Sequence, residues 1–150
     1  MTDDGLWLLF LRKGQAFIPT MAKTEAGFYM GIEPVEVIDV TNREELQQAL
    51  IRVVKRGNPV VPTPGRDNYP EDPLLKHAKV KSLSVFEKSA KSWKLSKREG
   101  AYLITPYRPS DGGGAEEDLN RTEAVPVEES LESVVQRLVR RATNSGLTGV

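Results

Sequence analysis

Residues 60–107, VVPTPGRDNYPEDPLLKHAKVKSLSVFEKSAKSWKLSKREGAYLITPY, decide how this chain is read. Three kinds of sequence meet there. The stretch 58–73 carries Pro59, Pro62, Pro64, Gly65, Asn68, Pro70 and Pro73. Prolines at that spacing remove too many backbone donors for a regular element of any length. A helical turn is expected around Leu74-Leu75, then a short helix over residues 82–89 that buries Leu83 and Phe86. Residues 92–95 and 101–107 read as a hairpin around Lys97-Arg98-Glu99-Gly100.

Working toward the N-terminus, residues 7–12 have the aromatic and aliphatic content of a strand. Lys13-Gly14 can turn the chain, and residues 15–20 can return as a second strand. Residues 28–40 read as a further strand, with Pro34 predicting a bend or an edge position. The next helix is the best-signalled element. Thr41 followed by Glu44 has the spacing of a capping box. Leu46, Ala49, Leu50 and Val53 recur at three- and four-residue intervals, and Gly57 follows the basic pair Lys55-Arg56. Toward the C-terminus, residues 110–120 form a polar Gly-rich loop, and residues 122–125 a short strand. Pro126 precedes a closing helix over residues 127–142, with an apolar stripe of Leu131, Val134, Val135, Leu138 and Val139. Residues 144–150 are expected to fray. Helices do not alternate strictly with strands. The expectation is therefore an α+β fold: one domain over residues 1–150, with a central, largely antiparallel sheet flanked by helices.

Composition narrows the function classes. The 150 residues hold 21 Lys plus Arg against 21 Asp plus Glu, so no global field selects nucleic acid or an anionic membrane. There is no cysteine, which removes disulfides, thiol nucleophiles and Cys-based zinc sites. The acidic start Met1-Thr2-Asp3-Asp4 is unlike a signal peptide, and the apolar run at residues 6–11 is too short to span a bilayer. These features predict a cytoplasmic protein with no membrane partner.

Catalytic constellations are scarce. His77 is the only histidine, so it has no second His or Cys with which to build a triad or metal site. Gly112-Gly113-Gly114 lacks the Lys-Ser/Thr ending of a phosphate loop, and Glu116, Glu117 and Asp118 follow it. Arg66, in the turn Pro64-Gly65-Arg66-Asp67, can grip a carboxylate or phosphate, but solvated turns of this composition are common. Trp7 and Trp93 read as core anchors. No enzymatic activity, metal or cofactor is expected.

The neutral total hides two segments of opposite sign. Residues 76–98 hold eight Lys and Arg against Glu87, and residues 111–132 hold eight acids against Arg121. The two segments can neutralise each other across the fold. The basic one, with Lys79, Lys81, Lys88, Lys91, Lys94 and Arg98 beside Phe86 and Trp93, also has a nucleic-acid-binding pattern. The acidic one can receive a basic protein surface, and Asp111, Glu116, Glu117, Asp118 and Glu123 are its candidate contact residues.

Several segments resemble the immunity proteins of contact-dependent growth inhibition, the CdiI-like group. They are Val61-Pro62-Thr63-Pro64-Gly65-Arg66, the run LKHAKVKSLSVFEKSA at 75–90, the run WKLSKREGAYLITP at 93–106, and Ala124-Val125-Pro126 with the helix through Arg141. Together they cover roughly the last two-thirds of the chain. The resemblance implies an α+β domain that binds the C-terminal toxin domain of a cognate effector, commonly a nuclease, and neutralises it. It carries no contact residues over, because these vary with the toxin. The neutral net charge departs from the acidic character of many nuclease inhibitors. A nucleic-acid-binding module using residues 76–98 is the second reading, and a carboxylate enzyme using Arg66 the third.

Overall fold

Two tight turns set the sheet. A computed structural model describes residues 4–111 and 114–148, with residues 145–148 as backbone only. Strand β1 (Gly5–Arg12) turns through Lys13-Gly14 into β2 (Gln15–Thr24). Strand β5 (Lys91–Arg98) turns through Glu99-Gly100 into β6 (Ala101–Pro109). All four turn residues have positive φ: 50° and 80° in the first turn, 45° and 84° in the second. Two positive-φ residues in a two-residue loop match the right-handed twist of the strands, and glycine takes the second position without steric cost. The strands are longer than their sequence patterns suggested, because pairing extends to both flanks of each turn.

Strand β3 (Tyr29–Asp39) pairs antiparallel with β2, with a register shift at Pro19/Thr20. Strands β4 (Val60–Val61), β7 (Ala115–Glu117) and β8 (Glu123–Pro126) complete the sheet. Its order is β3-β2-β1-β5-β6-β7, with β4 on β2 and β8 on β6. Every pairing is antiparallel except the two-residue β4 against β2. The chain is thus a single α+β domain built on one sheet.

The helices are α1 (Arg43–Arg56), α2 (Pro73–Ala78), α3 (Leu83–Ser89) and α4 (Leu131–Thr148). The cap of α1 lies one residue beyond the expected box. Asn42 Oδ1 accepts from Glu45 N–H at 3.2 Å, while the Thr41 hydroxyl and amide both donate to Asp39. The asparagine wins because its carbonyl reaches the first free amides once Thr41 is tied back to the strand. Helix α4 begins later than expected. Pro126 is still paired in β8, residues 127–130 turn, and Ser130 caps through its Oγ, accepting from Ser133 N–H at 3.1 Å. Its backbone stays helical past Ala142, to Thr148.

Two cores sit on opposite faces. On one, Trp7, Leu9, Ile18, Trp93, Leu95 and Ile104 pack beneath Leu46, Leu50 and Val53 of α1 and Val134, Leu138 and Val139 of α4. Trp7 and Trp93 are core anchors, as expected. Gly5 makes room for the first of them: a Cβ there would lie 2.4 Å from Trp7 Cη2. On the other face a smaller core of Phe10, Phe17, Val35, Leu74, Leu75 and Phe86 lies under α2 and α3. Phe86 meets Phe10 and Phe17 edge-on, with ring centroids 5.2 and 5.6 Å apart. Phe86 is the buried residue of α3, and Leu83, expected inside, is 38% exposed. One aromatic side chain is enough to seat a seven-residue helix.

Beyond α3 the second face changes character. Cross-strand register places Ser92 beside Phe10, Lys94 beside Leu8 and Thr105 beside Lys94. The sheet there is polar, and it leads to the candidate site.

Candidate functional site

The start of β5 and the end of β6 frame a cleft of about 590 Å³. One wall is the end of α3 and its link to β5, with Glu87, Lys88 and Ala90. The other is the β6–β7 hairpin, with Arg108, Ser110 and Ala115. Trp93, Pro106 and Tyr107 lie between them. Two local facts bring the walls together. Phe86 fixes α3 on the sheet, and β7 pairs with β6 at Tyr107↔Glu117, Arg108↔Glu116 and Pro109↔Ala115. This strand lies in a stretch read from the sequence as loop. A three-residue strand has no periodicity to detect, and here a charge pair directly across the ladder supports it.

The predicted acidic residues separate into two groups. Glu116 Oε2 accepts from Arg108 Nη2 and Nε at 2.8 and 3.1 Å. Asp118 lies 3.9 Å from the same guanidinium. These contacts hold the Glu116 carboxyl below its ordinary range and raise Arg108, the shared hydrogen bond being the main cause in both. Glu117 is bound by Lys94, which reaches it across β6. Glu123 belongs elsewhere: it accepts from Arg137 at 2.8 Å and Arg141 at 3.2 Å, on the α4 side of the sheet. Arg141 also lies over the Trp93 ring at 5.0 Å. Asp111 is exposed and has no ion-pair partner among the described residues. Four of the five predicted acids are therefore neutralised by cations of this chain. Tyr107 lies among them, its phenol pushed up by burial first and then by the charges of Glu117 and Glu87.

The basic segment is divided differently. Phe86 and Trp93 are buried, so neither is a stacking platform for bases. Lys94 is paired with Glu117, and Lys97 lies 5.8 Å from the Tyr102 ring. Lys76, Lys79, Lys81 and Lys88 are exposed on α2, α3 and their connection. The exposed Leu83 and Val85 of α3, at 38% and 49%, were missed from the sequence, where an amphipathic period assigns apolar residues inward.

The remaining sequence candidates are structural or solvated. His77 Nε2 sits 3.0 Å from Glu33 and ties α2 to β3. Arg66 is exposed in the 3₁₀ turn Arg66–Asn68. Gly112 and Gly113 lie outside the described residues. Among the described residues, no group of three or more His, Asp or Glu is placed to hold a metal ion, and no helix is long and apolar enough to cross a membrane.

No protein-family profile matches the sequence. No curated protein matches it either. Solved structures do match. A protein of unknown function from Neisseria meningitidis superposes with a TM-score of 0.64 at 12% identity, covering 91% of this chain and 92% of that one. A chain of the CdiA-CT/CdiI toxin and immunity complex from Yersinia pseudotuberculosis superposes with a TM-score of 0.62 at 13% identity, covering 91% and 94%. This chain shares their fold. At such identity the likeness extends to the path of the backbone along nearly the whole domain, and the side chains of the site are this chain's own.

Proposed function

We propose that this chain is an immunity protein, which binds the toxic C-terminal domain of a contact-dependent growth inhibition effector in the cytoplasm and neutralises it without chemistry of its own. The observation that carries the reading is the superposition of 91% of this chain on a chain of a toxin and immunity complex. The sequence resemblance to the CdiI-like group points the same way. Inhibition comes from covering the toxin, over an interface of roughly 1,200–2,000 Å² in total. A nuclease is the proposed toxin class.

The interface is centred on the cleft. Its hairpin wall presents Asp111, Glu116, Glu117 and Asp118, with Glu123 round the sheet edge. Because Arg108 and Lys94 already compensate three of these acids, this wall contributes shape and hydrogen-bond acceptors more than a long-range field. The test is to replace Glu116 and Asp118 by Gln and Asn, and Asp111 by Lys, and to measure toxin affinity alongside thermal stability. Weaker binding by a protein of unchanged stability supports the reading. Unchanged affinity and unchanged salt dependence remove this wall from the interface.

A further inference from the structure

Beside the cleft, α3 and the connection that precedes it carry charge and apolar surface that nothing else in the chain uses. Lys79, Lys81 and Lys88 are exposed, and among the described residues none has an ion-pair partner. Arg121, at the mouth of the same cleft, engages the fold through its backbone carbonyl, which accepts from Arg141 at 2.9 Å, and its guanidinium likewise has no ion-pair partner among the described residues. Four nearby acids are held by other cations: Glu117 by Lys94, Glu116 and Asp118 by Arg108, Glu33 by His77. Glu87 is the one acid on this helix, so the surface keeps a net positive charge. Leu83 and Val85 stand on the same helix, half in solvent. A short helix held by a single buried residue gains nothing from two exposed aliphatic side chains unless something else covers them.

We infer that Lys79, Lys81, Lys88 and Arg121, with Leu83 and Val85, form a docking surface for an acidic face of the partner protein, one that also presents apolar side chains. The inference rests on the immunity reading and names the chemistry of the toxin side. A protein partner fits better than nucleic acid. Phosphate contacts would use the cations but leave Leu83 and Val85 without a role, and the two aromatic rings of the basic segment are buried. Charge complementarity of this kind speeds encounter, and apolar contact at its centre slows release.

The experiment compares the full chain with two variants, Lys79→Glu/Lys81→Glu/Lys88→Glu and Leu83→Ser/Val85→Ser. All five substituted positions are exposed, so both variants are expected to melt close to the parent, and this is checked first. The probe is the inactivated C-terminal toxin domain of its proposed cognate effector, with a DNA duplex and a single-stranded RNA as further probes. The charge variant should bind the toxin domain about tenfold or more weakly, mainly through a slower association rate with a flattened salt dependence. The aliphatic variant should dissociate faster. If the parent binds and both variants match it within about twofold, the surface is wrong while the immunity reading stands. If the parent does not bind the toxin domain, both fail together. Salt-sensitive binding of the parent to DNA or RNA, lost in the charge variant, assigns the surface to nucleic acid and overturns the inference.

Discussion

Lys94 of β5 and Glu117 of β7 form an ion pair that spans β6, joining the basic and acidic segments of the chain across the floor of the sheet. The Lys94 side chain is only 16% exposed, so its partner matters more than that of a surface lysine. Replacing Lys94 by Met should cost about 1 kcal/mol and lower the melting temperature by about 2–4 °C. A double-mutant cycle with Glu117→Gln checks it, and a coupling energy near zero would contradict the pairing.

Asn58 closes a gap between two strands. Strands β1 and β2 pair only near their turn, at residues 10–12 and 15–17, and then part. The Asn58 amide donates to the carbonyls of Leu6 and Met21, both at 2.8 Å, and its Oδ1 accepts from Leu6 N–H at 3.2 Å. Asn58→Ala leaves three part-buried backbone groups without these partners and should cost about 2–4 kcal/mol in urea unfolding. Asn58→Asp should be no better, because a carboxylate cannot donate to either carbonyl.

Phe86→Ala removes the ring that seats α3. A loss of about 3–5 kcal/mol is expected from the aromatic cavity if the fold unfolds as one unit. Hydrogen exchange should show residues 83–89 losing protection more than α1, since Leu50 and Val53 belong to the other core. Equal loss in both helices would mean that the two cores are not separate.

These sites show what the sequence could and could not say. Both hairpins were legible, the first at Lys13-Gly14, the second as a four-residue turn at Lys97-Arg98-Glu99-Gly100 that the structure narrows to Glu99-Gly100 because Lys97 and Arg98 still pair in β5. Helix α1 was legible because its stripe is long. The hairpin at β7 and the outward faces of Leu83 and Val85 were not. The first depends on Arg108 across the ladder, the second on Phe10 and Phe17, far away in the chain, under α3. The acidic loop was visible as charge, but its neutralisation by Arg108 and Lys94 was not, since pairing across strands has no local signature.

Acid should loosen the domain in a defined direction. Glu33 is held below its usual value of 4.5, chiefly by the hydrogen bond to His77, Asp39 is held below its usual value by the Thr41 amide and hydroxyl, and Glu116 by Arg108. A carboxyl depressed in the folded state adds stability above its unfolded value, and that contribution disappears as pH falls through the folded value. Stability measured in urea should therefore hold above about pH 4.5 and fall below it. Glu33→Gln should make the fall shallower. Because these groups face solvent, added salt should shrink the effect. A Glu33→Gln profile parallel to the parent's at every pH would rule out the His77 contact as a contributor.

The proposed function is to cover another protein, without chemistry on this domain. The decisive assay titrates the purified full chain into the toxin domain of its proposed cognate effector while following that domain's own activity. Activity is expected to fall in proportion to added chain and to vanish at stoichiometric addition. Toxin activity that persists undiminished in excess of this chain would contradict it.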